Sequence, residues 1–306
     1  MAAPLFLLAP PRSYTSLVNA MIGQHPQAFG LPELCLFNVE RLIELWNGVE
    51  GENTERGAMA RHGLMRAVAE IYCGEQSVAT INMARAWASV REFWDTGSVF
   101  RELVNKLDPL VAVEKSPSYP ISLQRMHALQ RTFPDARFIH LVRHPIPQGK
   151  SVMAINNGAF TMRMGAFEIH EDYAMLEPQI AWHDVNLNIL EFLSGVPDSQ
   201  QIRVRGEDIM ADPETKLAEI ARWLGLRDDD EAIEEMLHPE RSPFACFGPL
   251  SAMFGNDPNF LSGPTFRPHK PKIPKMDSPL PWRTDGKGLY PEVISLAREF
   301  GYDDEY

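Results

Sequence analysis

The sequence predicts an α/β fold: a central, mostly parallel sheet flanked by helices on both faces. Three short runs point to it, residues 4–9, 110–113 and 138–142, each almost wholly apolar. Each stops abruptly at polar or basic residues, and a helical pattern follows. Strands that are apolar throughout are those buried on both faces, the condition of a parallel sheet covered by helices.

The first strand, 4–9, leads into Pro10-Pro11-Arg12-Ser13-Tyr14-Thr15-Ser16 and then the helical run 17–22. A strand, a tight polar turn and a helix aim backbone amides and a helix N-terminus at one point, which favours a phosphate or sulfate. Arg12 adds fixed charge with forked donors, and Ser13, Thr15 and Ser16 add hydroxyls. Taken alone, the heptad also reads as an ordinary strand-to-helix turn with a Ser cap. The rest of the chain decides between them.

Gly23-Gln24-His25-Pro26 closes the first helix, and residues 29–37 run into a second over about 39–46. The stretch 55–107 reads as helical throughout, with few turn signals. The strand at 110–113 ends in Glu114-Lys115-Ser116-Pro117-Ser118-Tyr119-Pro120, and a helix follows to about 131. The clearest strand, 138–142, ends in Arg143-His144-Pro145. Pro145 and Pro147 suit the first turn of a helix that carries Ser151. A long helix is expected over about 172–194 and a strand at 202–205. Asp212-Pro213 then opens a helix with the stripe Leu217, Ile220, Ala221 and Leu224, stopped by Gly225. From about 239 to 281 the composition turns to Pro, Gly, Ser and Asn with Arg267, His269, Lys270, Lys272 and Lys275 interspersed. Irregular segments of this length are usually functional covers or disordered. A short helix over about 291–300 completes the pattern.

In parallel sheets ligands sit at the carboxyl ends of the strands. The groups able to meet there are Arg12 to Ser16, Glu114 to Ser118 and Arg143 to Ser151, enough for more than one phosphate-sized anion. The overall charge is −12, which disfavours general affinity for nucleic acid or anionic membranes, so such a ligand is held by local basic residues. A hydrophobic content of 44% describes an ordinary globular chain, and no apolar run has the length of a membrane span. The short apolar N-terminal segment lacks a preceding basic region and reads as a buried strand rather than a signal peptide. Three scattered cysteines, Cys35, Cys73 and Cys246, offer neither a disulfide framework nor a metal knuckle, and a cytoplasmic location is expected.

Together these motifs resemble the sulfotransferases that use 3′-phosphoadenosine 5′-phosphosulfate (PAPS). In that family a loop after the first strand, Lys or Arg, Ser, Gly and then Ser/Thr pairs, binds the 5′-phosphosulfate; here it reads Arg12-Ser13-Tyr14-Thr15-Ser16. The 3′-phosphate element is an Arg closing a strand and a Ser eight residues on, as with Arg143 and Ser151. Glu114 to Tyr119 is similar to an element of the heparan-type members. Residues 204–208 with Asp212-Pro213 and Trp223-Leu224-Gly225-Leu226 resemble a downstream block of the family. Leu31-Pro32-Glu33-Leu34 and Gly255-Asn256-Asp257-Pro258-Asn259-Phe260 look most like bacterial members. These include stand-alone enzymes and domains of modular polyketide synthases that sulfonate a β-hydroxyacyl chain on a carrier protein. One departure is Tyr14, where the family usually has Gly. Its ring could point away, stack on a ligand or weaken donor binding.

The resemblance implies a P-loop-like three-layer fold forming one domain over 1–306, with a helical substrate-side insertion at about 40–107 and a cover at about 239–281. It implies sulfuryl transfer from PAPS to a hydroxyl of a small or carrier-bound acceptor, with no metal required. Arg12 would stabilise charge on the bridging oxygen and bind the 5′-phosphate with Ser13, Tyr14, Thr15 and Ser16. Arg143 and Ser151 would bind the 3′-phosphate. Glu33 is the expected base and Lys115 the support for the transferred group. His25, His140 and His144 are rival bases, and Arg267, His269 and Lys270 could belong to a cover over the nucleotide. Aromatic and Met residues in the helical region and the cover suggest a partly apolar acceptor. The alternatives are a P-loop nucleotide phosphotransferase, which needs a Gly-rich loop ending Gly-Lys-Ser/Thr that is absent, or a non-catalytic nucleotide-binding relative, which Tyr14 keeps open. The sequence sets neither the acceptor nor the oligomeric state.

Overall fold

The structure, a computed structural model, describes residues 2–47, 54–155 and 158–302. Its strands are β1 (Leu5–Leu8), β2 (Ala28–Gly30), β3 (Val111–Glu114), β4 (Arg137–Val142), β5 (Phe167–Ile169), β6 (Ala174–Leu176) and β7 (Gln201–Arg205). Five of them form one parallel sheet in the order β2-β3-β1-β4-β7, while β5 and β6 make a separate antiparallel ribbon. The helices are α1 (Thr15–Gly23), α2 (Glu44–Asn47), α3 (Thr54–Cys73), α4 (Val78–Ser89), α5 (Thr96–Leu107), α6 (Leu123–Thr132), α7 (Pro145–Met153), α8 (Ala159–Arg163), α9 (Pro178–Leu193), α10 (Gly206–Ala211), α11 (Pro213–Leu224), α12 (Asp230–Met236), α13 (Pro258–Ser262) and α14 (Pro291–Glu299).

The strand order positions the site. From β1 the chain runs to one edge, building β2 and β3, then crosses to build β4 and β7 on the other side. β1 therefore marks the switch point, with β3 and β4 as its two neighbours. The three polar strand ends singled out in the sequence belong to these adjacent strands.

Both faces of the sheet are covered. Phe6, Leu8, Ala112 and Phe138 point into one core with residues of α3 to α6 and α9. Leu5, Leu7, Val111, Val113, Ile139 and Leu141 point into the other with α1, α10, α11 and α12. The alternation along each strand is the period of two expected of a pleated backbone, and it makes three layers. Phe6 and Phe138 stack at 5.9 Å between ring centroids across β1 and β4. A third cluster, with Val142, Ile146, Trp182, Val293 and Phe300, closes one end.

Several elements differ from expectation, each for a local reason. β2 was unseen because three residues ending in Gly30 are too few to display a period. The helix expected over 39–46 is a 3₁₀ turn at Leu36–Asn38 followed by the short α2. The stretch 55–107 divides into α3, α4 and α5. Ser77 and Thr80 form a reciprocal capping box that starts α4, and Asp95 caps α5 through the Ser98 amide. The helix expected from 172 begins only at Pro178, because 174–176 pairs with β5 instead. The segment 239–281 is mostly irregular but contains α13, capped by Asp257.

α1 packs on β2 through two glycines. A Cβ built on Gly23 would lie 2.3 Å from the Gly30 Cα, backbone that has no side chain to yield. Helix propensity alone favours Gly23→Ala by up to ~1 kcal/mol. The overlap outweighs it, and we expect the variant to lose roughly 1–3 kcal/mol in urea unfolding.

Candidate active site

The loop between β1 and α1 is shaped by two left-handed residues, Arg12 at φ 68° and Tyr14 at φ 64°. Arg143, at the end of β4, donates from Nη1 to the Arg12 carbonyl at 2.6 Å. Gln148 of α7 donates from Nε2 to the Pro11 carbonyl at 2.7 Å. The loop is thus pinned to the neighbouring strand end at two successive carbonyls. α1 begins without a side-chain cap and with no acidic residue in its first turn, so its N-terminus keeps its affinity for an anion. Ser13 Oγ, Gln148 Oε1 and Arg143 Nε are buried and have no hydrogen-bond partner. Thr15 is half-buried and Ser16 buried at the head of the helix.

Tyr14 takes a left-handed backbone conformation, which glycine adopts at least cost. A side chain there costs roughly 1–2 kcal/mol. The ring lies under the Arg143 guanidinium at 4.2 Å and against Gly206, where an added Cβ would sit 2.5 Å from Tyr14 Cδ2. The cation–π contact offsets part of the cost, about 0.5–2 kcal/mol. Of the orientations open in the sequence, the ring occupies the crevice between Arg143 and Gly206.

Arg12 reaches across the site. Its Nε donates to Ser151 Oγ at 3.0 Å, and its Nη1 is ion-paired with Asp257. The first and third motifs therefore meet directly, and Asp257, singled out above only within the stretch 255–260, joins them. The Asn-Asp-Pro pattern could have marked Asp257 as a helix cap, but nothing local announces its contact with Arg12.

Glu33 and Lys115 are brought together by the way the chain leaves β2. Beyond Gly30 it stays beside β3: Leu31 N donates to Val113 O at 2.7 Å, Leu34 N to Glu114 Oε1 at 3.1 Å, and Cys35 N to Ser116 Oγ at 2.9 Å. Side chains of Glu114 and Ser116 extend the ladder where β3 itself has ended. Glu33 is thereby held against Lys115, whose ammonium is ion-paired with it and almost wholly buried. The Glu33 amide also donates to the Gly255 carbonyl at 2.7 Å. On the other side α3 approaches so closely that a Cβ on Gly63 would fall 1.9 Å from the Glu33 carbonyl oxygen.

The rival histidines are engaged elsewhere. His25 accepts from the Gln27 amide at Nδ1 and pairs with the Arg227 carbonyl through Nε2. His140 is buried in β4 against Asn186, and burial pushes it down to about 3. His144 caps α7 through the Ile146 amide and packs edge-on to Tyr302; burial, with Arg143 adding to it, pushes it down to about 4. Arg267, His269 and Lys270 are exposed, and their segment is fastened by the His269 amide to the Met210 carbonyl at 3.0 Å. A cleft of about 290 Å³ between α9 and β7, lined by His140, Leu193, Asp198 and Arg203, contains, of the candidate residues, His140 alone. Among the described residues no cluster of His, Cys, Asp or Glu could hold a metal ion, and no helix is long and apolar enough to cross a membrane.

A loop of amides and hydroxyls lies beside three cations on adjacent strand ends, two of them paired with carboxylates, an arrangement suited to an anionic group. The sequence profile of the sulfotransferase family matches residues 4–230, and the chain belongs to that family. Its fold is similar to the sulfotransferase domain from the curacin biosynthetic pathway, with a TM-score of 0.76 and 23% identity over 99% of each chain. It is also similar to the sulfotransferase domain of the Synechococcus PCC 7002 olefin synthase, with a TM-score of 0.69 and 24% identity over 99% of this chain and 97% of that one. At these identities the likeness is one of fold. No curated protein matches the sequence.

Burial pushes Glu114 up from 4.5 to about 7, against the hydrogen bonds from Ser116 and Leu34. Between those values the folded chain holds a proton the unfolded chain has lost, so this group makes stability fall as pH rises through the window. Glu114→Gln keeps an acceptor for Leu34 and removes the titration. We expect the variant to gain on the wild type by up to about 1.4 kcal/mol per pH unit between about pH 5 and 7 in urea unfolding. A second expectation concerns Tyr14. Gly206→Ala, which drives a Cβ into the ring, costs roughly 1–3 kcal/mol, and Tyr14→Gly in the same chain recovers most of it by thermal melting.

Proposed function

We propose that this protein moves a sulfuryl group from PAPS to the hydroxyl of a small or carrier-bound, partly apolar acceptor. The observation that carries the reading is the meeting of Arg12, Arg143 and Ser151 at the ends of β1 and β4, with the Glu33–Lys115 pair beside β3. When bound, PAPS supplies the activated sulfuryl group and a nucleotide leaving group.

The residues present fit such a donor. Ser13, Gln148 and Arg143 each have a buried polar atom without a partner, and α1 opens uncapped. Ser13, Thr15, Ser16 and the first amides of α1 would hold the 5′-phosphosulfate, with Arg12 stabilising charge that develops on the bridging oxygen. Tyr14 would contribute through its backbone and by steadying Arg143. Arg143 and Ser151 would hold the 3′-phosphate, which distinguishes this nucleotide from ATP or 5′-AMP. Lys115 would neutralise the sulfuryl oxygens, and Glu33 would take the proton from the acceptor hydroxyl.

Support for the acceptor side comes from what borders Glu33. Gly63 of α3 and Gly255 of the irregular segment both touch its backbone, and Phe254 stacks on His62 at 5.9 Å. The helical region and the irregular segment thus meet at the backbone of Glu33, with an aromatic pair formed between them. Two neighbours in fold come from a biosynthetic pathway and a synthase, and a carrier-bound acceptor is proposed on that likeness.

Calorimetric titration of adenosine 3′,5′-bisphosphate should show binding that neither ATP nor 5′-AMP matches, weakened at least tenfold in Arg143→Ala. Failure of the wild type to bind, or equal affinity for 5′-AMP, would overturn the donor assignment. With an acceptor in hand, Glu33→Gln should lower kcat about a hundredfold or more with donor affinity retained.

A further inference from the structure

The cation assigned to the donor is already occupied by the protein itself. Arg12 is ion-paired with Asp257, which lies 245 residues further along the chain, and both side chains are largely withdrawn from water. The carboxylate is aimed rather than loose. Its Oδ1 accepts from the Asn259 amide at 3.0 Å and caps α13, leaving Oδ2 for Arg12.

The residues before Asp257 are fixed to the same site. The Gly255 carbonyl receives the Glu33 amide, and the Phe254 carbonyl receives the buried Arg66 guanidinium at 3.2 Å. Asn256 is buried, with Nδ2 donating to the Phe244 carbonyl and Oδ1 left without a partner. Of the four residues 254–257, only Asp257 is attached through a group that an incoming phosphate replaces in kind. The other attachments are neutral carbonyls or amides, indifferent to an anion at Arg12.

We propose that Asp257 is an internal anion seated at the donor site. It holds Arg12 while the donor is absent, and donor binding moves Arg12 from the carboxylate to the 5′-phosphate side of the nucleotide. The reading rests on the donor assignment above and adds a residue to it. A phosphate on Arg12 and a carboxylate within a few ångströms of it repel, and little water is present to screen them. The exchange therefore releases Asp257, and with it the start of α13. Donor affinity is lowered by the competition, and the arrival of the donor loosens the chain from Asp257 onward while the bonds of Gly255 and Phe254 stay in place.

The test uses adenosine 3′,5′-bisphosphate with the wild type and Asp257→Asn. Asparagine caps a helix as well as aspartate, so α13 keeps its start while the competing charge is lost. The variant should bind the nucleotide about tenfold more tightly. In the wild type, nucleotide should speed amide hydrogen exchange across residues 257–263; in the variant exchange there should be unchanged by nucleotide. Weaker or equal nucleotide binding by the variant overturns the role of Asp257 while leaving the donor site intact, because it would mean the carboxylate orients Arg12 or does nothing. Slower exchange in the wild type on binding overturns the release. Absence of nucleotide binding in both proteins overturns the donor assignment, and this role falls with it.

Discussion

Mutual repulsion among three cations is the constraint from which the rest of the site follows. Parallel pairing of β3, β1 and β4 brings Lys115, Arg12 and Arg143 to neighbouring strand ends, and none can retreat far without unmaking the sheet. Burial and the nearby Arg143 charge both disfavour a charged Arg12, so a local counter-charge is favoured. Glu33 answers Lys115, Asp257 answers Arg12, and Arg143 lies between the Arg12 carbonyl and the Tyr14 ring. The compensating groups come from the loop after β2, the irregular segment near α13 and the first turn. A chain of net charge −12 has carboxylates to spare, yet it is their placement that keeps this corner positive without leaving it uncompensated.

Backbone conformation carries the next part of the argument. The left-handed Arg12 points its carbonyl at Arg143, and the left-handed Tyr14 starts α1 with its amides unclaimed. Strain of this kind persists only where surrounding contacts overdetermine it. Here Gly206 supplies the space and Arg143 the attraction that hold the ring down. A glycine would reach this backbone more easily, so Tyr14 exchanges conformational ease for a contact with Arg143. The same economy of space appears behind Glu33, where Gly63 and Gly255 let α3 and the cover close on one carbonyl and one amide.

How much of this was legible in the sequence divides along a physical line. β1, β3 and β4 could be read because strands buried on both faces are apolar throughout, and the residues after them could be read because the run stops sharply. Arg12, Arg143 and Ser151 follow from that reading, since strand adjacency turns three separate stops into one place. β2 and the β5–β6 ribbon escaped because three-residue strands show no period, and their existence depends on partners far along the chain. Glu33 was reached through a resemblance rather than a pattern. Its position depends on Glu114 and Ser116 continuing a ladder with their side chains, which composition does not signal. Asp257 and Gln148 escaped for the same reason: one reads as a helix cap and the other as a solvated helix residue until the fold brings them to Arg12 and Pro11.

The two halves of the site therefore rest on different kinds of specification. The half with Arg12 and Arg143 is built from the strand ends of the sheet, and its geometry is set once strand order is set. The half around Glu33 is built from contacts of the 31–35 connection and the 254–257 segment, both irregular, with each other and with α3. Regular elements repeat their own hydrogen bonds and leave little to spare, whereas irregular backbone has amides and carbonyls free to hold another segment. Glu33 N to Gly255 O and Arg66 to Phe254 O are bonds of that kind. An irregular segment can thus be held at several separate points along its backbone, each bond independent of the next.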